Sequence, residues 1–217
     1  MVSEEILVIG LGRFGRALAR ELDKLGHQVM AVDSDAESVQ AATRDLQHVA
    51  QVDATNVQAM RDIGAAEFKT AVVAIGSDIE ASIIATYVLV DLEVPRVWAK
   101  AITGSHGAIL SRVGAHRVVF PERDMGIRVA HTLTGRTIDY IELDPSFALL
   151  ETPTPREFVG KKLRDTQIRA KFGLTVVCVK QLGSDFTYAT PDTVLRDGDL
   201  LVVAGQPKQA EHFATLD

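Results

Sequence analysis

The chain has 217 residues, 47% hydrophobic and 24% charged, with 16 glycines and 7 prolines. This is ordinary globular composition, with room for one large domain or one domain plus a smaller one, and it excludes a collagen-like or proline-rich chain. A net charge of −6 with no long basic run speaks against a nucleic-acid partner, and the single cysteine, Cys178, excludes an internal disulfide and a thiolate metal cluster.

The first ten residues carry two acids, no basic segment and an apolar run of only Ile6 to Ile9. That run is too short for a signal core or for the roughly 20 residues that span a bilayer. A soluble cytoplasmic protein is expected, one that can still dock beneath a membrane protein.

Ile6–Ile9 reads as a strand ending at Gly10. Ala17, Leu18, Leu22 and Leu25 follow at helical spacing, and Gly26 closes that helix. Gln28–Val32 is a second strand ending at Asp33, followed by a helix through Ser38–Ala42. Val49–Val52 is a third strand, ending at Asp53, and a short helix covers Val57–Ile63. Ala71–Ile75 is a fourth strand, Ala81–Leu92 a mostly apolar helix, and Val97–Ala101 a fifth strand. Ile109–Val113 sits in a helix and Arg117–Phe120 is a sixth strand. Strands apolar throughout, alternating with helices, predict a Rossmann-like doubly wound α/β domain with a parallel sheet covered on both faces.

After Pro121 the pattern changes. A helix through Met125–Leu133 meets a stop at Thr134-Gly135. Short β-like runs follow at Ile138–Leu143, Phe147–Thr152, Leu174–Lys180, Phe186–Ala189 and Leu200–Ala204. One helix is expected over Leu163–Lys171 and a last one over Pro207–Phe213. The reading is a smaller C-terminal α+β domain, with domains at 1–134 and 135–217 and the boundary near Gly135.

Gly10-Leu11-Gly12-Arg13-Phe14-Gly15 is a G-x-G-x-x-G motif between a predicted strand and a predicted helix. Gly10 permits the tight turn, Gly12 the approach of backbone N–H groups to a diphosphate, and Gly15 close packing of helix on strand. Asp33 lies eighteen positions after Gly15, near the spacing of about 20 residues expected for an acid that binds ribose hydroxyls. Its charge disfavours a 2′-phosphate. Asp33 is also suited to cap a helix, but Asp35 can cap instead and leave Asp33 free. Asp53-Ala54-Thr55 contacts adenine or caps the following helix. Gly76-Ser77-Asp78 lines the same crevice or caps the next one.

Acid–base chemistry has poor candidates. His106, in an expected loop, is the best, although a solvated or capping role suits it better. Cys178 reads as buried packing inside Val176–Val179. No G-x-S-x-G, H-E-x-x-H or P-loop lysine pattern is present, so the nucleotide is read as bound rather than consumed.

Residues 9–15, Asp33, Val-Asp-Ala-Thr (52–55), residues 74–82, Trp-Ala-Lys-Ala (98–101) and the stretch from Gly114 through Glu122 to Gly126 resemble the RCK/TrkA-N domain. Lys161 to Gly205 resembles the TrkA-C domain, through Leu163-Arg164, Ile168-Arg169, Phe172-Gly173 and 197–205. The likeness covers nearly the whole chain and is greatest to single-RCK cytosolic subunits of the KtrA/TrkA type. It implies a non-enzymatic gating subunit of a bacterial potassium uptake system that binds ATP, ADP or NAD(H). It places Phe14, Ser34, Ile75, Ser77 and Lys100 in the nucleotide crevice with the residues above. It brings Arg13 to the terminal phosphates, and Glu122 to the γ-phosphate and a cation such as Mg2+.

The same likeness implies dimers assembling into an octameric ring, with the helix at Met125–Leu133 crossing between subunits. The ring would lie peripheral to the inner membrane face, beneath a transporter subunit of the KtrB/TrkH type. Ile168, Arg169, Thr175, Val176 and Pro191 fall where some TrkA-C domains hold cyclic di-AMP; Thr175 stands where the best-known binders have asparagine. A small NAD-dependent oxidoreductase and an NAD(H) redox sensor are the alternatives.

Overall fold

The computed structural model describes residues 3–133 and 137–216, so the expected boundary near Gly135 lies outside the described residues. The chain divides into two compact units, Met1–Arg123 and Asp124–Asp217.

In the first unit β1 (Glu5–Ile9), α1 (Arg13–Lys24), β2 (Gln28–Asp33), α2 (Ala36–Ala42), β3 (His48–Gln51), α3 (Val57–Asp62), β4 (Thr70–Val73), α4 (Ile79–Asp91), β5 (Arg96–Lys100), α5 (Gly104–Val113) and β6 (Arg117–Val119) alternate along the chain. Six parallel strands form one sheet in the order β3-β2-β1-β4-β5-β6. This is the doubly wound arrangement, in which the order reverses between β1 and β4.

Its continuous apolar strands have a direct cause. On β1, Leu7 and Ile9 join a core with Val32, Val73, Leu89 and Val97. Ile6 and Val8 point the other way, into a second core with Ala19, Val29 and Val72. A strand between two helical layers needs apolar residues on both faces.

A helix that begins at Pro121, one turn before the expected Met125, runs to Leu133 (α6). Proline suits the first helical turn, where its missing N–H is not required. The second unit continues with β7 (Asp139–Asp144), β8 (Phe147–Pro153), α7 (Leu163–Thr166), α8 (Ile168–Phe172), β9 (Thr175–Lys180), β10 (Phe186–Tyr188), β11 (Leu200–Gly205) and α9 (Pro207–Ala214). Its antiparallel sheet has the order β10-β9-β11-β8-β7. One face packs Leu150, Val179, Leu201 and Val203 onto Phe158, Leu174 and Phe213.

Two expectations fail here for physical reasons. The helix expected over Leu163–Lys171 is broken, because Gln167 adopts a left-handed φ of 56° between α7 and α8. In an unbroken helix Leu163 and Ile168 would lie about 140° apart around the axis. The break lets Leu163 pack on the core while Ile168 is buried within it. Cys178 is only half-buried. A bulge opposite Val202 and Val203 leaves Val177 without a partner on β11, while its carbonyl accepts from Ala189 N. Val176 and Val179 then both turn inward, and Cys178 does not.

Candidate functional site

The residues singled out around the glycine motif lie at or just past the carboxyl ends of the parallel strands, where such sheets hold ligands. Gly10 has a φ of +93°, a conformation that excludes most side chains. A Cβ there would also fall 3.0 Å from Ile75 N. A Cβ at Gly15 would collide with the carbonyl oxygen of Gly10. These two glycines are needed by the fold itself. Gly12 differs: a Cβ at this position would meet nothing within 4 Å. Its missing side chain leaves open space above the start of α1.

That start is distinctive. Helices α2, α3, α4 and α5 each begin under a side-chain cap, from Asp35, Asn56, Asp78 and Thr103. Helix α1 has no side-chain cap on Gly12 and no acid in its first turn, but carries the exposed Arg13. Uncapped N–H groups, the positive end of the helix dipole and a guanidinium together favour an anion.

Asp33 is not free. Its carboxylate accepts the N–H of Leu11 at 2.6 Å and of Asp35 at 2.9 Å, while Asp35 caps α2 by accepting from Ser38 N at 2.8 Å. A carboxylate offers about four lone-pair directions, so two remain for the hydroxyls of a ribose. Neither residue type nor spacing could reveal the Leu11 contact, since Leu11 contributes only its backbone.

Asp53 does not cap α3; Asn56 does, accepting from Gln58 N and Ala59 N. The Asp53 carboxylate accepts the Thr55 hydroxyl at 2.7 Å and Thr55 N at 2.9 Å, and these bonds hold its titration below the usual carboxylate value. Ala54 is buried and Thr55 half-buried. Ser34 is exposed, and its carbonyl accepts from Gln51 Nε2. At the end of β4, Ile75 and Gly76 are half-buried and Ser77 exposed, and Asp78 is spent on capping α4.

On the far side of the crevice Lys100 is 8% exposed, and its Nζ meets Glu122 Oε1 at 2.5 Å. The ammonium lies 5.6 Å from the ring centroid of Phe14. A Cβ at Gly76 would come within 2.9 Å of that Nζ. The Lys100 hydrogen bond, aided by the charges of Lys100 and Arg13, holds the Glu122 titration below its ordinary value. The family resemblance assigned Arg13, Phe14, Lys100 and Glu122 to one crevice; the contacts of Lys100 with Glu122 and Phe14, and the charge of Arg13 on Glu122, are what the fold adds. Among the described residues no group of three or more His, Cys, Asp or Glu could hold a metal ion. A cation at Glu122 would therefore depend on water and a phosphate chain for its remaining oxygen ligands.

His106 is not in a loop. It lies in the first turn of α5, 2% exposed, and burial pushes its titration below the ordinary histidine value. Of the five residues placed at a cyclic di-AMP site, Ile168 and Val176 belong to the core of the second unit. Arg169, Thr175 and Pro191 are exposed. No helix among the described residues is long and apolar enough to cross a membrane.

Comparison with known proteins matches the TrkA-N domain over residues 6–121 and the TrkA-C domain over residues 148–216. The chain is 34% identical over 212 residues to Ktr system potassium uptake protein A of Bacillus subtilis, covering 97% of this chain and 96% of that protein. It is 34% identical over 217 residues to Ktr system potassium uptake protein A of Vibrio alginolyticus, covering 98% of each. Among solved structures, the GsuK channel bound to NAD superposes with a TM-score of 0.68 at 20% identity. That alignment covers all of this chain and 40% of the channel, and at this identity it speaks for the fold.

Proposed function

The chain belongs to the TrkA-N/TrkA-C family, and from that premise we propose that it is the nucleotide-binding regulatory subunit of a bacterial potassium uptake system. The observation that carries the ligand reading is the bare N-terminus of α1, above Gly12 and beside Asp33, where helices α2 to α5 each carry a side-chain cap. The diphosphate of ATP, ADP or NAD(H) sits on that N-terminus, the ribose on the remaining lone pairs of Asp33, and the adenine toward Asp53–Thr55. Phe14, Ile75, Gly76 and Ser77 wall the middle of the crevice.

The far end is where the ligands differ. A γ-phosphate adds negative charge beside Arg13, and a cation such as Mg2+ shared with Glu122 neutralises it. A cation there competes with Lys100 for the charge of Glu122. Nucleotides that weaken or spare that pair shift the population of two conformations by their differential affinity. In a dimer, and in the octameric ring built from dimers, this becomes a change of ring shape acting on a membrane potassium transporter subunit. The chain itself stays in the cytoplasm, at the inner membrane face. Cyclic di-AMP on Arg169, Thr175 and Pro191 of the second unit is a further input. The enclosure of His106 supports a nucleotide that is bound and not turned over.

The test is titration of the purified chain with ATP, ADP, NAD and NADH, with particle size measured in each state. Saturable binding with different sizes for ATP and ADP is expected. Discrimination of NADH from NAD with none between ATP and ADP would favour the redox sensor, and turnover of NADH with a carbonyl substrate the oxidoreductase.

A further inference from the structure

Past the carboxyl end of β5 the chain turns through Ala101, Ile102 and Thr103 into α5. Thr103 caps α5 by accepting the N–H of His106 at 3.1 Å. The His106 ring folds back over the same turn, and its Nδ1 accepts the N–H of Ile102 at 3.4 Å. Its Nε2 is buried and has no hydrogen-bond partner among the described residues.

These contacts fix the proton. A ring nitrogen that accepts a hydrogen bond carries no hydrogen, so the neutral ring bears its hydrogen on Nε2. The ionisable groups on the packed elements are Glu80, Tyr87 and Asp91 of α4, Arg96 and Lys100 of β5, and Arg117 of β6. Arg112 lies at the far end of α5 itself, and Glu122 and Arg123 where α6 begins. Among the described residues the bond the ring makes is the one it accepts from Ile102, and burial depresses its titration.

Protonation would place a hydrogen on Nδ1, facing the Ile102 N–H. Two donors cannot share that contact, and an enclosed imidazolium would have no acceptor on either side. The turn would have to open. That turn also shapes the crevice. A Cβ at Gly76 would fall 3.6 Å from Ile102 Cγ2 and 2.9 Å from Lys100 Nζ, so both side chains close over Gly76.

We propose that His106 is a positioning residue and a proton-sensitive latch for this crevice: its neutral ring holds the turn after β5 in shape, and its protonation releases Ile102 and Lys100 from Gly76. The effect on ligand rests on the nucleotide reading above; the latch on the turn does not. The direction follows from linkage. An unfolded histidine titrates near about 6.5, and the folded ring titrates lower. The turn is therefore undisturbed above that value, and the penalty grows as pH falls below it toward the folded ring's own titration.

The test uses the full chain between about pH 7.5 and about pH 5.5, the range in which histidine changes charge. Two quantities are followed: exchange protection of the Ile102 amide, corrected for the intrinsic pH dependence of exchange, and affinity for NAD, whose diphosphate keeps its charge in this range. Wild type should lose several-fold in both on acidification. His106→Asn, whose side-chain oxygen accepts the Ile102 N–H but gains no proton, should lose neither. Nitrogen NMR of the wild-type ring at neutral pH should place the hydrogen on Nε2, a readout that needs no variant. An Ile102 amide equally protected at both pH values overturns the latch. So does a ring protonated on Nδ1, or a His106→Asn chain that responds to acid as wild type does. A latch that opens without changing NAD affinity overturns the link to the crevice. A chain that binds no adenine compound at any pH overturns the nucleotide reading, and the exchange measurement still decides the latch.

Discussion

The two units solve the problem of burying a sheet in opposite ways. The parallel sheet of the first unit is apolar on both faces, so its polar chemistry gathers at the loops beyond one edge. The antiparallel sheet of the second unit packs one face and leaves Ile141, Leu143, Phe186 and Tyr188 exposed along its edge strands. In the first unit the same residues hold the fold and shape the site: Gly15 lets α1 lie on Gly10, and Asp33 ties β2 to the glycine loop. In the second, the aromatic cluster of Phe158, Phe172 and Phe213 is internal packing and little else. Damage to the first unit should therefore cost binding and stability together, and damage to the second should separate them.

The sharpest break is Gly15→Val. With no space beside the Gly10 carbonyl, the first unit should lose on the order of 5 kcal/mol or more and unfold. Thermal unfolding followed by calorimetry should keep the transition of the second unit. Next in size is Phe158→Ala, which should cost the second unit about 3–5 kcal/mol. Nucleotide affinity, measured below the new transition, should stay within about twofold, because Phe158 packs inside the core of the second unit and the crevice is built from the first.

Asp33→Asn should be smaller in stability and large in binding. The amide can no longer accept from Leu11 N, Asp35 N and a ribose together, and adenine-nucleotide affinity should fall by about 1.5–3 kcal/mol, roughly ten- to hundred-fold. Calorimetric titration reads this, and unchanged affinity would sever the proposed tie between fold and site. The smallest effect belongs to the second unit. Arg128 grips Asp139 through Nε and Nη2, which holds the Asp139 titration below its ordinary value. A depressed carboxylate stabilises the fold above its unfolded titration, near about pH 4, and loses that contribution as pH falls through the folded one. Acid should thus produce a slight fall in the second transition that Asp139→Asn abolishes, with no change in the first unit from this pair.

Much of this was legible in the sequence, because it rests on local pattern. The alternation of apolar runs and helices announced the doubly wound sheet, and the glycine spacing announced the bare helix start. What escaped depended on contacts distant in sequence. Nothing near Cys178 reveals a bulge set by its pairing with β11. The break at Gln167 is decided by where Leu163 and Ile168 meet the core, against the local preference of a glutamine, which unlike glycine rarely adopts a left-handed conformation. His106 reads as a loop residue because Gly104 and Ser105 precede it, yet Thr103 starts the helix ahead of them. Lys100 and Glu122 were both assigned to the crevice, but the bond between them, across 22 positions, was not foreseen.

The hydrogen bond from Leu11 to Asp33 has one more implication. It ties the glycine loop to the end of β2, so on the proposed reading little chain entropy is lost there on binding. Compounds that share an unmodified adenosine would meet that same loop alike. Those that differ beyond the diphosphate would be told apart at the opposite extremity, near Arg13, Lys100 and Glu122.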